Sequence, residues 1–210
     1  MFGDRSASAK GLFFVFEGID GSGKTTQVEM LDRALSAKGF DTLCTSEPTS
    51  GRWGRKIREI AERGRNGVTP DEELRCFIED RREHVRKKIA PALKRGKIVL
   101  CDRYYHSTIA YQGALGIATD FIRRLNEDDN RFPVPDLVFY IDVPPETALE
   151  RIAKARPGGA NLGYERLDFL RKVKAIYDGL NFPGFCRING AQPPAAVASE
   201  IYGIVSPLLP

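Results

Sequence analysis

Residues 12–38 read LFFVFEGIDGSGKTTQVEMLDRALSAK, and this stretch decides the fold. Its first part, Leu12–Glu17, is a short and nearly continuous apolar run, which predicts a β-strand buried on both faces. Residues 24–38 then place apolar side chains at helical spacing, and Gly39 follows as a stop signal. The stretch therefore predicts a strand, a glycine-rich turn and an amphipathic helix in immediate succession.

The turn between the strand and the helix fits the pattern GxxxxGK[ST] in full. Its glycines let the backbone wrap around an anion, and the first N–H groups of the helix face that anion. We expect Lys24 to reach the β- and γ-phosphates of a nucleotide and the Thr25 hydroxyl to bind Mg²⁺. The predicted phosphate-binding residues are Gly18, Ile19, Asp20, Gly21, Ser22, Gly23, Lys24, Thr25 and Thr26. Alone, this motif indicates either an NTPase or a kinase.

Further strands and helices alternate along the rest of the chain. Apolar runs predict strands over Phe40–Thr45, Ile98–Cys101, Leu137–Val143 and Cys186–Asn189. Helical spacing and cap signals predict helices over Pro70–Arg95, Glu146–Ala155 and roughly Ala195–Val205. The alternation predicts a three-layer α/β fold in one domain over residues 1–210, with a five-stranded parallel sheet and helices on both faces. Such sheets bind their ligands at the carboxyl ends of the strands.

Composition and charge narrow the possible partners. The formal net charge of +4 over 210 residues permits acidic small-molecule substrates but is too mild for a dedicated nucleic-acid binder. No stretch has the length of a membrane span or the apolar core of a secretory signal, so we expect a cytoplasmic protein. The four cysteines are scattered along the sequence, so we expect no metal site built from cysteine thiolates. Cys44 and Cys101 fall in apolar runs, where we expect them to be small buried side chains.

The residues after the third strand separate the remaining classes. A GTPase would need an NKxD segment, which the sequence lacks, and a motor-type ATPase would end this strand with an acidic pair. Here the strand ends in Asp102-Arg103 instead. An acid can orient the waters of Mg²⁺, while the arginine stabilises charge on a phosphoryl group in transfer. The pair therefore favours a small kinase.

Residues 102–113 read DRYYHSTIAYQG and resemble the signature DR[YH]xxSxxAYQG of the thymidylate kinase family. Four more segments resemble this family of P-loop nucleoside monophosphate kinases: FEGIDGSGKTT at 16–26, EP at 47–48 with GRKIR at 54–58, FIEDRREH at 77–84 and PDLVFYIDV at 135–143. The resemblance implies a P-loop kinase fold and a homodimer. It also implies Mg²⁺-dependent transfer of the γ-phosphoryl group of ATP to dTMP, giving dTDP and ADP for dTTP synthesis.

The resemblance also implies roles for residues around the dTMP phosphate and sugar. Arg81 and Arg103 would bind the phosphate of dTMP, since guanidinium groups match phosphate oxygens in pairs. Asp20 would accept a hydrogen bond from the sugar 3′-hydroxyl, and Tyr111 would pack against the deoxyribose. Glu47 would help to place Mg²⁺ or the acceptor.

A second set of residues would hold the base. By the same resemblance, Phe77 would stack on the thymine ring, while Thr108 and Gln112 would hydrogen-bond its polar edge. Arg58 would assist on the thymine or the phosphate side. For the chemical step, the resemblance and the motifs together predict Lys24, Asp102, Arg103, Arg151 and Arg156, with Thr25 and Asp102 as metal ligands.

The segment after the fourth strand resembles the lid of these kinases, over approximately residues 150–165. It is basic and contains Pro157-Gly158-Gly159 as a hinge. The phosphate loop has no arginine between Gly18 and Lys24, which is typical of the bacterial type that supplies basic residues from the lid. Spacing does not decide which lid residue reaches the γ-phosphate, and we favour Arg151 and Arg156.

Three features depart from the family pattern: two in the loop after the second strand, and a lid with fewer arginines than many bacterial members have. Two other functions also stay open. Ser46 stands where the family often has arginine before Glu-Pro, and residues 49–52 (TSGR) replace the usual glycine pair. A kinase for another nucleoside monophosphate or for a deoxynucleoside would differ in acceptor preference. A nucleotide-binding regulatory protein on the same fold would bind ATP without turnover.

Overall fold

A computed structural model describes residues 11–127, 132–155 and 164–209 of the chain. Its strands form one parallel sheet in the order β2-β3-β1-β4-β5. The strands are β1 (Phe13–Glu17), β2 (Thr42–Ser46), β3 (Ile98–Asp102), β4 (Leu137–Asp142) and β5 (Phe185–Asn189). The predicted α/β fold class and the five-stranded parallel sheet are confirmed.

The helices include every one that the sequence predicts and several more. They are α1 (Lys24–Ser36), α2 (Arg52–Glu62), α3 (Pro70–His84), α4 (Ala90–Lys94), α5 (Tyr105–Ala114), α6 (Thr119–Glu127), α7 (Pro145–Ala155), α8 (Leu167–Asp178) and α9 (Pro194–Val205). A π-helical turn over Val85–Ile89 joins α3 to α4, so that the predicted helix Pro70–Arg95 is continuous. Thr69 begins it with a capping box that includes Glu72.

Strand β1 lies at the centre of the sheet and divides the core into two layers. Its side chains alternate between the two faces. Phe13 and Val15 pack in the cluster that includes residues of α3, α4 and α5. Phe14 and Phe16 pack on the opposite face, in the cluster that includes residues of α1 and α9. The apolar run of the sequence is therefore buried on both faces because helices cover each side of the sheet.

The register of the strands gathers the predicted functional residues at one edge. Phe16 of β1 pairs with Asp102 of β3, and Ser46 of β2 pairs with the same residue from the other side. The backbone N–H of Arg103 donates to the Phe16 carbonyl at 2.9 Å, and that of Glu47 donates to the Asp102 carbonyl at 3.0 Å. The ends of three adjacent strands thus meet where the glycine-rich turn begins.

One prediction about the cysteines is wrong. Cys101 is buried as expected, but Cys44 is exposed. Cys44 lies in β2, which is the edge strand of the sheet, and Ser46 on the same side of that strand is also exposed. An apolar run at a sheet edge can therefore leave alternate side chains in solvent, which the sequence pattern alone does not distinguish.

No helix in the described parts of the chain is long and apolar enough to cross a membrane.

Gly54 and Gly203 give a matched test of the packing that holds α2. A Cβ at Gly54 would lie 1.9 Å from the Thr49 carbonyl oxygen, so we expect Gly54→Ala to lower the free energy of unfolding by about 3 kcal/mol. A Cβ at Gly203 in α9 would meet no atom within 4 Å, and Gly203→Ala should raise it by about 0.5–1 kcal/mol. Urea denaturation of both variants measures these changes, and equal effects would contradict the close approach at Gly54.

Candidate active site

The loop between β1 and α1 has the backbone that its glycines make possible. Gly18, Gly21 and Gly23 have φ angles of 141°, 77° and 101°, which favour glycine because it has no Cβ. At Gly21 a Cβ would also lie 2.3 Å from the Ala148 carbonyl oxygen. The loop leads directly into the N-terminus of α1, where unpaired N–H groups and the helix dipole favour an anion.

Lys24 is the first residue of α1, and its side chain turns back under the loop. Its Nζ donates to the Ile19 carbonyl at 2.9 Å and to Ser22 Oγ at 3.4 Å. The side chain is buried, and burial together with the positive charge of Arg103 lowers the pKa of Lys24 to about 8. The ammonium group is thus held in place before any phosphate binds.

Thr25 and Asp102 form the predicted metal-binding pair. The Thr25 hydroxyl donates to Asp102 Oδ2 at 2.5 Å, across the junction of α1 and β3. Mg²⁺ prefers oxygen ligands and usually takes only one or two carboxylates, completing its shell with water and substrate phosphates. The two oxygens fit that preference. Nowhere in the described ranges do three or more His, Cys, Asp or Glu residues gather as for an all-protein metal site.

Arg103 joins this loop to helix α5. Its backbone has a φ of 70°, in the left-handed region, which directs the side chain back across the loop. The guanidinium donates to the Gly18 carbonyl at 3.1 Å, to Ser107 Oγ at 3.0 Å and to Asp20 Oδ1 at 2.8 Å. The hydroxyl of Tyr111 donates to Asp20 Oδ2 at 2.9 Å.

Asp20 and Arg103 shift each other's pKa in the direction that keeps both groups charged. Burial alone would raise the pKa of Asp20, but the positive charges of Arg103 and Lys24 and the hydrogen bond from Tyr111 hold it below its ordinary value. Burial likewise opposes the charge of Arg103, yet Tyr111 and Asp20 raise the pKa of Arg103 well above its usual range. Both groups are therefore ionised at neutral pH.

Glu17 supports this cluster through hydrogen bonds to the residues around Arg103. Its side chain is fully buried at the end of β1. Oε1 accepts from the backbone N–H groups of Tyr104 (2.8 Å) and Ser107 (3.2 Å), and Oε2 accepts from the hydroxyls of Ser107 (2.5 Å) and Tyr177 (2.9 Å). Burial alone would raise the pKa of Glu17, but His106, the hydrogen bond from the Ser107 hydroxyl and the charge of Arg103 hold it below its ordinary value. The carboxylate thereby fixes the first turn of α5 and the serine that contacts Arg103.

A cavity of about 140 Å³ opens beside Arg103, and we call it the Phe77 cavity. Six of the predicted acceptor-binding residues line it: Asp20, Arg58, Phe77, Arg103, Tyr111 and Gln112. Five more residues in its wall were given no role by the sequence patterns: Pro48, Ile57, Ala61, Ser107 and Tyr164. Phe77 is half-buried and packs with Ile57 and Ile60 of α2. The cavity thus offers an aromatic face, an arginine and a carboxylate to one ligand.

Three predicted acceptor residues, Arg81, Glu47 and Thr108, lie behind this cavity and are absent from its wall. The Arg81 guanidinium is 1% exposed. It donates to Glu47 Oε2 at 2.9 Å, to Thr108 Oγ1 at 2.9 Å and to Asn126 Oδ1 at 2.6 Å. Glu47 also contacts His84, with 3.0 Å between Oε1 and Nδ1. Arg81 thus joins Glu47 and Thr108 in one buried network outside the cavity wall.

The two departures in the loop after β2, Ser46 and residues 49–52, lie within the described residues. Ser46 is the last residue of β2 and is exposed. Thr49 is bound to α3, because its backbone N–H and its hydroxyl donate to the two carboxylate oxygens of Asp80 at 2.7 and 2.6 Å. Arg58 donates to the carbonyls of Pro48 (3.1 Å) and Thr49 (2.5 Å). The loop after β2 is therefore fixed by α2 and α3 although it lacks the usual glycine pair.

A second cavity, also of about 140 Å³, lies on the other side of the glycine-rich loop, and we call it the Arg151 cavity. Residues of the loop, of α1 and of the segment after β5 line it, among them Ser22, Thr26, Gln27 and Gln192. Arg151 of α7 donates to the carbonyls of Ser22 (3.3 Å) and Gly190 (3.0 Å). Arg156 lies outside the described residues, and its contact with a γ-phosphate stays a prediction, as does the lid.

Comparison with known proteins agrees with this arrangement. The family model described as Thymidylate kinase matches residues 16–201. A thymidylate kinase of Desulfotalea psychrophila (strain LSv54 / DSM 12343) is 45% identical over 199 residues, which cover 95% of this chain and 96% of that protein. The chain belongs to the thymidylate kinase family. Thymidylate kinases of Akkermansia muciniphila and Xanthomonas oryzae pv. oryzae (strain PXO99A) are both 42% identical, covering 96% and 93% of this chain and 94% and 83% of their own lengths.

The thymidylate kinase match extends from the end of β1 to α9 and so includes both cavities. Membership, predicted from the segments around residues 16–26 and 102–113, is confirmed. Sequence reasoning missed the positions of Glu17, Ser107 and Tyr164. A signal existed for Glu17, since an acid that closes a strand buried on both faces needs buried hydrogen-bond donors.

Replacing Glu17 tests whether its charge fixes α5 and Arg103. An amide at this position turns one acceptor oxygen into a donor that faces other donors, so Glu17→Gln should lower the free energy of unfolding by about 2–4 kcal/mol. It should also lower kcat/KM at least about tenfold, because Arg103 loses the support of Ser107. Asp41→Asn, on an exposed carboxylate that pairs with Lys97, is the matched control and should change the free energy by less than about 0.5 kcal/mol.

The stabilisation of the fold by Glu17 should depend on pH in a defined direction. The folded pKa of Glu17 lies below its ordinary value of 4.5, so its contribution is complete above that pH and is lost as the pH falls through the folded pKa. The difference in the free energy of unfolding between wild type and Glu17→Gln should therefore become smaller under acidic conditions. A difference that stays constant from pH 7 to the acid limit of the fold would refute the role of the charge.

Proposed function

We propose that this protein transfers the γ-phosphoryl group of ATP to dTMP, giving dTDP and ADP. The observation that carries the proposal is the position of Arg103. Its guanidinium binds the glycine-rich loop through Gly18 and Asp20, and it also lines the Phe77 cavity. A phosphate bound on the loop and a second phosphate in the cavity would share this one charge, as in-line transfer between two nucleotides requires.

The ATP side of the proposal rests on the loop and the Arg151 cavity. Lys24 and the N–H groups at the start of α1 would bind the β- and γ-phosphates, and the Thr26 side of α1 would approach the α-phosphate. Arg151 is bonded to Ser22 and Gly190 at the far side of the loop from Arg103. We therefore propose a place for Arg151 beside the purine of ATP, where a guanidinium plane can stack on a base, in place of the γ-phosphate contact that the sequence pattern favoured.

The dTMP side rests on the Phe77 cavity. Phe77 offers a face for stacking on thymine, while Arg58 and Arg103 supply positive charge for the phosphate. Within the described residues, Gln112 Oε1 is buried and has no hydrogen-bond partner. It fits as the acceptor for the imide N–H of thymine. Arg81 and Thr108 would then act from beneath the cavity, by holding the elements that line it.

Catalysis would come from positioning and charge, without a covalent enzyme intermediate. Thr25 and Asp102 would hold Mg²⁺, which would neutralise negative charge on the phosphates. Asp20, ionised and fixed by Arg103 and Tyr111, would orient the deoxyribose. Lys24 and Arg103, which lie on the loop and beside it, would stabilise the charge that develops on the transferring group.

We also propose that the enzyme works as a homodimer in the cytoplasm. Helix α6 exposes Phe121 and Leu125, at 43% and 38% of their surface, which is compatible with an apolar contact between two copies. The reaction consumes ATP, for which the cytoplasm is the ordinary source. Family resemblance suggested the homodimer, and the lack of a membrane-span or secretory-signal pattern suggested the cytoplasm.

An acceptor panel tests the reaction and the role of Arg103. We expect ADP release with ATP and Mg²⁺ to be fastest with dTMP among dTMP, dUMP, dCMP, dGMP and AMP. Arg103→Ala should lower kcat/KM for dTMP by on the order of a hundredfold or more, since it removes the charge shared by both substrates. Arg33→Ala, on the exposed side of α1, is the control and should leave kcat/KM unchanged.

Each other outcome of this panel has a definite meaning. Preference for another monophosphate would retain the kinase but reject thymine as the base bound by Phe77. Binding of ATP without turnover of any acceptor would favour a regulatory nucleotide-binding protein. Full activity of Arg103→Ala would reject the shared charge as the basis of transfer.

The lowered pKa of Lys24 predicts how ATP affinity depends on pH. Below about pH 8 the buried ammonium is already charged, whereas above it the free enzyme must take up a proton before Lys24 can pair with phosphate. ATP affinity should therefore fall above about pH 8, by up to about tenfold per pH unit. Isothermal titration at pH 7 and pH 9 measures the affinity directly.

Proton uptake distinguishes this explanation from a general loss of structure. At pH 9, binding should take up close to one proton, seen as a dependence of the observed enthalpy on the ionisation enthalpy of the buffer. Lys24→Met should bind more weakly at both pH values and should take up none. Equal affinity and no uptake in the wild type between pH 7 and pH 9 would show that Lys24 is charged throughout.

A further inference from the structure

Tyr164 fixes the direction of a chain of hydrogen bonds that ends in the Phe77 cavity. Its hydroxyl donates to Glu73 Oε1 at 2.7 Å and accepts from Gln112 Nε2 at 3.2 Å. Both Tyr164 and Gln112 line the cavity, whereas Glu73 lies outside its wall and is 1% exposed. The chain therefore runs from a buried carboxylate, through a phenol, to the amide of a cavity residue.

Only one assignment of donors and acceptors lets Glu73, Tyr164 and Gln112 form both hydrogen bonds of this chain. A carboxylate has no proton, so Glu73 can only accept, and the hydroxyl of Tyr164 must donate to it. The phenol oxygen then has only its lone pairs left for Gln112, which must offer its NH₂ group. As a result the amide of Gln112 cannot turn over, and Oε1 is left as its free acceptor, without a partner among the described residues.

Arg65 keeps the carboxylate end of the chain in place. Its Nε donates to Glu73 Oε2 at 3.1 Å, and its guanidinium lies 3.4 Å from the centre of the Tyr164 ring. Burial and the negative charge of Glu73 raise the pKa of Tyr164, so the phenol keeps the proton that it donates. Arg65 thereby gives the buried Glu73 carboxylate a positively charged partner.

The backbone at Arg65 supports a specific role for its side chain. Helix α2 ends with Gly64 in the left-handed region, and the Gly64 and Arg65 N–H groups donate to the Ala61 and Ile60 carbonyls in the usual helix-ending pattern. Arg65 has a φ of 60°, a second left-handed residue that this pattern does not require. Arg103, which lines the cavity, is the other non-glycine residue with positive φ in the described ranges.

We propose that Glu73 and Arg65 are positioning residues that set base specificity, because through Tyr164 they hold the Gln112 carbonyl toward the base. A carbonyl there matches a base whose facing ring nitrogen is protonated, as N3 is in thymine and uracil. It repels cytosine, whose N3 is an acceptor. The inference rests on the proposed assignment of the Phe77 cavity to the acceptor base, and it adds the residues that determine its preference.

The decisive variant is Glu73→Gln, assayed with dTMP, dUMP and dCMP. A glutamine at position 73 can donate to the Tyr164 oxygen, which lets the phenol donate to Gln112 and lets the Gln112 NH₂ group face the base. We expect kcat/KM for dCMP to rise in absolute terms and the dTMP-to-dCMP ratio to fall about tenfold or more. The dUMP-to-dTMP ratio should stay unchanged, because both bases carry the same N3–H.

Two further variants test the middle and the start of the chain. Tyr164→Phe keeps the ring contacts with Arg65 and Tyr111 but frees the Gln112 amide, so it should also lower the dTMP-to-dCMP ratio. Arg65→Gly relieves the left-handed backbone but leaves the buried Glu73 carboxylate without its charged partner, so it should lower both the Tm and the dTMP-to-dCMP ratio. The control Glu62→Gln changes an exposed carboxylate at the end of α2 and should alter neither quantity.

These outcomes separate the inference from the proposed function. If the wild type does not turn over dTMP, or if Phe77→Ala leaves the KM for dTMP unchanged, the assignment of the cavity is wrong. If wild type and Phe77→Ala behave as proposed but Glu73→Gln and Tyr164→Phe lower all three acceptors equally, Glu73 has only a structural role and the inference is wrong. A rise in dCMP turnover cannot come from damage to the fold, so that readout supports the inference directly.

Discussion

The buried carboxylate of Glu17 links the end of β1 to the start of α5, and the rest of the site depends on this link. Burying a charge costs several kcal/mol unless hydrogen-bond donors surround it. Two backbone N–H groups and two hydroxyls do so here. Because β1 also leads into the glycine-rich loop, the same residue fixes the loop that would bind one nucleotide and the helix that lines the cavity for the other. Arg103 can therefore face both.

Around this link the charges are arranged in advance of any ligand. Burial and repulsion from Arg103 both lower the pKa of Lys24, and Asp102 and Asp20 offset only part of these two effects, so the pKa falls to about 8. A polyphosphate would relieve the repulsion without moving either side chain. Such preorganisation stabilises transferring charge because the protein does not have to reorient its groups during the reaction. Burial and the positive charge of Arg103 thus lower one pKa and keep the site complementary to phosphate.

Local patterns predicted much of this, and contacts between distant residues account for what they missed. The strand, the glycine-rich loop and α1 lie within 27 consecutive residues, and their periodicity and glycines determine their structure. The role of Arg81 could not be derived in that way. Glu47, Thr108 and Asn126 surround it, and these residues lie 34, 27 and 45 positions away in the sequence. A motif gives the identity of an arginine but not the groups that compete for its guanidinium.

The two buried networks of α3 show why an ionised end group matters for specificity. In one, Glu47 lies between Arg81 and His84, and His84 Nε2 lies 2.6 Å from Thr45 Oγ1. His84 Nδ1 must donate to the Glu47 carboxylate, but Nε2 and the Thr45 hydroxyl can each donate or accept, so the far end of that network has no fixed direction. In the other network, Tyr164 can only donate to Glu73 and accept from Gln112, and Gln112 lines the cavity. Only the second network can therefore transmit the polarity of a buried charge to a base that the charge never touches.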